Sequence, residues 1–213
     1  MDANSIIPWV EVFSYSQSNT FGHGKGSYAG FSDVFRYKLL KEHGGWWTDM
    51  DITCLAPLPN TPYFFRAHHS LKLVGNLMHC PKASELMRYC YTRAKAEIDS
   101  ENTDWHRPIQ ILIDGVEQFA LENHITAGVG NMDHWGETRK FVFQQTRIPS
   151  QWIFLHWQNE EWRNRGMNKN QVRFRSTLGK LFQRYRLWDR EPTFKDQVIN
   201  EVEYFTGLVG RNR

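Results

Sequence analysis

Cysteine is scarce in this chain of 213 residues. Cys54, Cys80 and Cys90 are odd in number and form no Cys-x-x-Cys pair, which argues against both a disulfide framework and a zinc knuckle. Long apolar runs are missing too: no uninterrupted stretch approaches the roughly 18 to 20 residues that cross a bilayer as a helix. The opening Met-Asp-Ala-Asn-Ser-Ile-Ile-Pro has neither the basic start nor the apolar core of a secretory signal. These absences point to a reducing, cytoplasmic setting. Acids are scarce in one region in particular. Between Arg163 and Arg190 nine lysines and arginines face a single acid, Asp189, a strong local field within a chain whose net charge is only +3. The run Gly22-His23-Gly24-Lys25-Gly26 lacks the spacing of a Walker loop and a buried strand before it, and reads as a flexible connection.

What is present is a chain with 40% hydrophobic and 23% charged residues, the composition of a globular domain with a substantial core. The stretch that organises it runs from Gly44 to Cys54, Gly-Gly-Trp-Trp-Thr-Asp-Met-Asp-Ile-Thr-Cys. In an extended chain, side chains at i and i+2 point to one side, so Asp49 and Asp51 are expected to present paired oxygens to one spot. Such a pair suits a hard divalent cation, Mn²⁺ or Mg²⁺, that also grips a phosphate. By spacing alone, Asp-x-Asp is more often a solvated strand end.

The segment before it carries more information. Tyr28, Phe31, Phe35 and Leu39 recur at three- and four-residue intervals, which predicts a helix with one buried stripe. Ser27 is placed to cap its start, and His43 with Gly44 marks its end. Asp33, Arg36 and Tyr37 follow i, i+3, i+4 spacing and share one side of it. The pattern Ser32-Asp33-x-x-Arg36-Tyr37-x-x-Leu40 followed by Gly44-Gly45-x-x-x-Asp49-x-Asp51 resembles the sugar-binding region containing the DXD motif of glycosyltransferase family 32 and its bacterial capsular-polysaccharide and toxin-like relatives.

Further along, Ala56-Pro57-Leu58-Pro59 breaks the strand. Tyr63-Phe64-Phe65 and Leu71 to Met78 read as short strands, with His68 and His69 between them on opposite faces. Pro81 to Ile98 reads as a helix with Leu86, Cys90, Ala94 and Ile98 inward. Pro108 to Leu121 reads as another, with Ile109, Leu112, Val116 and Ala120 inward. The run Gln151 to Leu155 reads as a buried strand that delivers His156 to an edge, followed by a loop with Asn159, Glu160 and Trp162. As a class, such a histidine is more often a satisfied core residue than a ligand. Leu178, Leu181, Phe182 and Tyr185 form the stripe of a basic helix. Phe194, Val198, Val202 and Phe205 have core spacing in a last one.

The resemblance implies an α/β fold, a GT-A-like nucleotide-sugar-binding layered domain over residues 1–162. A basic helical C-terminal extension over residues 163–213 would pack on it. The likeness begins at Asp2-Ala3-Asn4, which in relatives follows an N-terminal strand–helix unit, so the chain is expected to start partway into that domain. It implies metal-dependent transfer of a sugar from a nucleotide-sugar donor to a saccharide or lipid-linked acceptor, with retention. Asp33, Arg36, Asp49 and Asp51 would be catalytic. Asp33, Arg36, Tyr37, Asn76, Asn159 and Trp162 would touch substrate, and Asp49, Asp51 and His156 would ligate Mn²⁺ or Mg²⁺. His156, Asn159 and Trp162 resemble a C-terminal signature of the type His-x-Trp-Asn-x-x-Trp, with Gln158 as an extra residue. The alternative is a non-catalytic nucleotide-sugar-binding remnant. The region Arg163 to Arg190 could also meet an anionic membrane at its inner face. Nucleic acid is not an expected partner, because Phe182 and Tyr185 fall on the apolar stripe and not among the charges.

Overall fold

The computed structural model describes residues 28–98, 104–167, 172–188 and 193–210. The Asp2-Ala3-Asn4 segment, the Gly22–Gly26 run, the Ser27 cap, Lys169, Asp189 and Arg190 lie outside them. The chain has a mixed α/β architecture, with seven α-helices among the described residues. Its contacts group into two compact units. One holds the described residues up to Met50 with Leu58–Ala127, and the other holds Asp51–Pro57 with the chain from Gly128 onward. Residues 128–162 therefore group with the C-terminal segment.

The first unit opens with helix α1, Tyr28–His43. Its buried apolar positions are Val34, Tyr37 and Leu40, whereas Phe31, Phe35 and Leu39 are half-buried at the rim of the core. The inward face is thus turned from the expected stripe, because α1 is apolar over a broad arc and the stripe alone does not say which part is covered. The helix stops at Gly44, whose N–H donates to the Leu40 carbonyl at 2.8 Å and whose φ is +66°. Only glycine fits there. A Cβ would lie 2.3 Å from the backbone nitrogen of Lys82, and left-handed backbone already disfavours any other residue.

Strands β1 (Gly45–Thr48), β3 (Phe64–Ala67), β4 (Leu73–Cys80) and β5 (Ile125–Thr126) form one sheet in the order β1-β4-β3-β5. β1 and β3 run antiparallel to β4, and β5 runs parallel to β3. Helix α2 (Glu85–Glu97) starts later than the expected Pro81, since the Ser84 hydroxyl caps it by accepting from the Met87 N–H at 3.3 Å. Helix α3 (His106–Gln118) carries Pro108 in its first turn, and Ala120 falls beyond its end at φ +53°. Val34, Leu40, Phe65, Met78, Leu86 and Leu112 fill the core between them. Each such side chain contributes about 1.5–3 kcal/mol of burial. His68 and His69 sit in a turn and not in a strand; His68 Nδ1 accepts the Leu71 N–H at 3.1 Å.

The second unit pairs β2 (Ile52–Cys54) antiparallel with β6 (Phe154–His156), bringing Ile52 opposite His156. Helices α4 (Trp135–Phe143), α5 (Asn159–Asn164), α6 (Thr177–Arg184) and α7 (Phe194–Gly210) complete it. Phe141, Trp152, Leu155 and Leu181 form one apolar cluster, and Val142, Trp162, Val172 and Leu178 form another. The expected loop at Asn159–Trp162 is instead α5, which begins after Gln158 turns the chain at φ +54°. Helix α7 also departs from expectation: Phe194, Val198, Val202 and Phe205 are 77%, 44%, 56% and 55% exposed. Polar side chains tie this helix down. Asn200 accepts the Phe174 N–H and donates to the Val172 carbonyl, and Glu201 pairs with Arg173 at 2.7 Å.

Candidate active site

The turn between β1 and β2 supplies one carboxylate to each unit. Met50 and Asp51 form that turn, so Asp49 and Asp51 are not neighbours in an extended strand and the alternation that would have aligned them does not apply.

In the first unit, Arg36 reaches from α1 toward the end of β1. Its Nη2 lies 2.9 Å from Asp33 Oδ1 and 3.4 Å from Asp49 Oδ1, and its Nη1 donates to the Gly75 carbonyl at 2.8 Å. The guanidinium also faces the Trp47 ring at 5.2 Å, a contact favoured by the ring's negative face. Gly75 makes room for it, since a Cβ there would stand 3.0 Å from Nη1. Burial opposes the guanidinium charge, but Asp33 and Asp49 outweigh it and raise the Arg36 pKa. For Asp33 the balance is reversed: burial dominates over the attraction of Arg36, and its pKa rises to about 6. Trp47 donates its indole N–H to Asp49 Oδ1 at 2.7 Å. The Asp49 N–H donates to the Asn76 carbonyl at 2.8 Å, while Asn76 Oδ1 accepts from the buried Arg66 at 2.9 Å. Asn76 therefore braces the end of β1 in this structure. Tyr37 corrects the expectation of a substrate contact. It is 1% exposed in the core, and its hydroxyl donates to the Pro108 carbonyl at 2.8 Å.

In the second unit, Asp51, His156 and Asp133 form a line of charges. His156 Nε2 lies 3.2 Å from Asp51 Oδ2, and Nδ1 lies 2.5 Å from Asp133 Oδ1. Asp51 Oδ2 also accepts the Asn159 N–H at 2.8 Å, and the Asp51 carbonyl accepts the Trp157 N–H at 2.8 Å. Burial alone would lower the His156 pKa, but the hydrogen bonds and charges of Asp133 and Asp51 raise it to about 9. Burial would raise that of Asp51, yet His156 and the Asn159 N–H hold it below its ordinary value. Asn159 acts here through its backbone. Trp162 is a packing residue and not an exposed cover: it is 6% exposed, and its indole N–H donates to the Trp157 carbonyl at 2.8 Å.

Sequence reasoning missed Trp47, Asn131 and Asp133. Asn131, fully buried, hydrogen-bonds both backbone groups of His156, accepting its N–H and donating to its carbonyl at 2.8 Å each. No periodicity marks the segment from Gly128 to Asp133. Its only trace in the sequence is a concentration of turn-forming residues, and the reason for Gly130, where a Cβ would meet the Phe154 ring at 2.3 Å, is visible only in three dimensions.

Among the described residues no group of three or more His, Cys, Asp or Glu is arranged as a metal cage. Asp51 and His156 nonetheless fit two positions of a six-coordinate ion. Ligands at about 2.1 Å on adjacent corners of an octahedron stand about 3.0 Å apart, close to the 3.2 Å between Oδ2 and Nε2. Two protein ligands suit Mg²⁺ or Mn²⁺, which take their remaining ligands from phosphates and water.

No curated protein and no solved structure matches the chain. Residues 4–77, the segment that contains Asp33, Arg36, Asp49, Asp51 and Asn76, are similar to the family described as capsular polysaccharide synthesis protein.

Proposed function

We propose that the protein is a glycosyltransferase of polysaccharide synthesis, moving a sugar from a nucleotide-sugar donor to a saccharide or lipid-linked acceptor with retention. A GT-A-like arrangement and Mn²⁺ or Mg²⁺ dependence belong to the same reading. The observation that carries it is the meeting of Asp51, inside the segment similar to capsule-synthesis proteins, with His156 from far along the chain. A carboxylate beside an imidazole is a donor pair that a cation also bound to phosphate can use.

Asp51 and His156 would hold the ion, whose chemistry is to neutralise the charge that develops on the departing diphosphate. Asp33 accepts hydrogen bonds from donor-sugar hydroxyls. Arg36, with its planar fork, orients Asp33 and Asp49 and presents positive charge to the donor. The Asn159 N–H fixes the Asp51 carboxylate. Exclusion of water lets the acceptor hydroxyl attack on the face that the diphosphate leaves, as retention requires. The new bond to the anomeric carbon forms as the bond to the diphosphate oxygen breaks, with the hydroxyl proton passing to that departing oxygen.

The test is turnover of a panel of nucleotide sugars with and without Mn²⁺. Asp51→Asn should lose Mn²⁺-dependent turnover at an unchanged circular dichroism spectrum. Full turnover in that folded variant, or none with any donor in the parent protein, would reject the assignment.

A further inference from the structure

The geometry points to Asp133 as the residue that positions His156 to share an ion with Asp51, an inference that rests on the ion-dependent reading above. An imidazole that offers one nitrogen to a metal almost always has its other N–H held, which fixes its tautomer and orientation. His156 Nδ1 lies 2.5 Å from Asp133 Oδ1, which turns Nε2 toward Asp51 Oδ2 at 3.2 Å. A carboxylate accepts and does not donate, so Nδ1 carries a proton at this contact, and an ion between Nε2 and Asp51 would take the place of the proton those two atoms otherwise share.

The placement of Asp133 is built into the fold. The loop before α4 is tied to β6 by Asn131, whose amide takes both backbone groups of His156. Asn131 also donates to Thr138 Oγ1 at 2.8 Å, fixing the loop to α4 as well. Two residues on, Asp133 adopts left-handed backbone at φ +59°. Aspartate and asparagine tolerate that conformation better than other residues with a side chain, and such strain gathers where a site demands it. One loop therefore fixes the backbone of His156 through Asn131 and its ring through Asp133. The side chains of His156 and Asp133 are 14% and 10% exposed, so water competes poorly for this bond.

The test measures Mn²⁺ affinity by electron paramagnetic resonance of the free ion, with uridine or guanosine diphosphate present in turn. It compares the parent protein with Asp133→Asn, His156→Ala and the double variant. Asparagine keeps the size and the left-handed tolerance of aspartate, so the fold is retained, as Tm would verify. Asp133→Asn should weaken Mn²⁺ binding by about 10- to 100-fold. The double variant should bind no more weakly than His156→Ala alone, because Asp133 acts through the ring. In metal-free protein the His156 Nδ1 proton should give a far-downfield resonance that Asp133→Asn abolishes. Unchanged affinity in Asp133→Asn beside a loss in His156→Ala, or a resonance that persists in Asp133→Asn, would overturn the role of Asp133 and leave the ion-dependent reading standing. Failure of the parent protein to take up Mn²⁺ with either diphosphate would overturn both.

Discussion

Asp33 is held against its own preference for charge. Burial raises its pKa from 3.8 to about 6 although Arg36 stands 2.9 Å away. A carboxyl that binds its proton more tightly in the folded state stabilises the fold fully below about pH 4 and loses that contribution as pH climbs through about 6. The loss amounts to roughly 3 kcal/mol. Asp33→Asn should therefore flatten the difference in unfolding free energy between pH 4 and pH 7, measured by urea titration. A parallel pair of pH profiles for variant and parent would refute this. Asn131 makes the opposite kind of contribution. Asn131→Ala strands the buried N–H and carbonyl of His156, which should cost about 2–4 kcal/mol and lower the urea midpoint; a midpoint within error of the parent would contradict it. Each residue belongs to the charged cluster of its own unit, yet only Asp33 was legible. Asp33 and Arg36 meet through i, i+3 spacing on one helix, a distance that sequence encodes directly. Asn131 and His156 meet across a fold, and no local pattern announces that.

At the scale of elements, junctions decide the positions of the charged groups. Gly44 and Gly45 look alike in sequence and both have positive φ, +66° and +91°. Their surroundings differ: a Cβ on Gly44 would strike the backbone of Lys82, whereas among the described residues none beyond its chain neighbours lies within 4 Å of one on Gly45. Gly45→Ala should cost about 1–2 kcal/mol for left-handed backbone alone, and Gly44→Ala distinctly more, because α1 must also move away from the segment before α2. Thermal unfolding of the two variants checks the order, and equal shifts in Tm would show that the close approach does not matter. Helices α1, α2 and α3 were readable as helices because apolar spacing, a glycine stop and an early proline mark them, although the face that α1 buries is turned from the stripe its spacing marks. Helix α7 was readable as a helix but not as an exposed one. Spacing reports that a face exists and says nothing of whether anything covers it, and here Asn200 and Glu201 on its polar side make the attachments.

At the scale of the whole molecule, three of the nine charges in the positive stretch of the sequence are met by acids outside it. Arg163 pairs with Glu160, Arg165 with Glu161 and Arg173 with Glu201. A count over a window of sequence could not show this, because Glu201 is brought to Arg173 by α7. Lys180, Arg184 and Arg186 are exposed and make no ion pair among the described residues. No helix among the described residues is long and apolar enough to cross a membrane, and these three exposed cations have the charge to meet an anionic lipid surface. Each basic side chain near an anionic surface contributes about 1 kcal/mol. Replacing all three by alanine should then reduce partitioning onto phosphatidylserine vesicles by about 100-fold at low salt. The parent protein should leave the same vesicles as salt rises, because the charges are exposed and screened. Flotation with vesicles of phosphatidylserine and of phosphatidylcholine measures both effects. Equal binding to the two lipids, or a triple variant that floats as the parent does, would assign these residues to solubility and leave the acceptor to be met in solution.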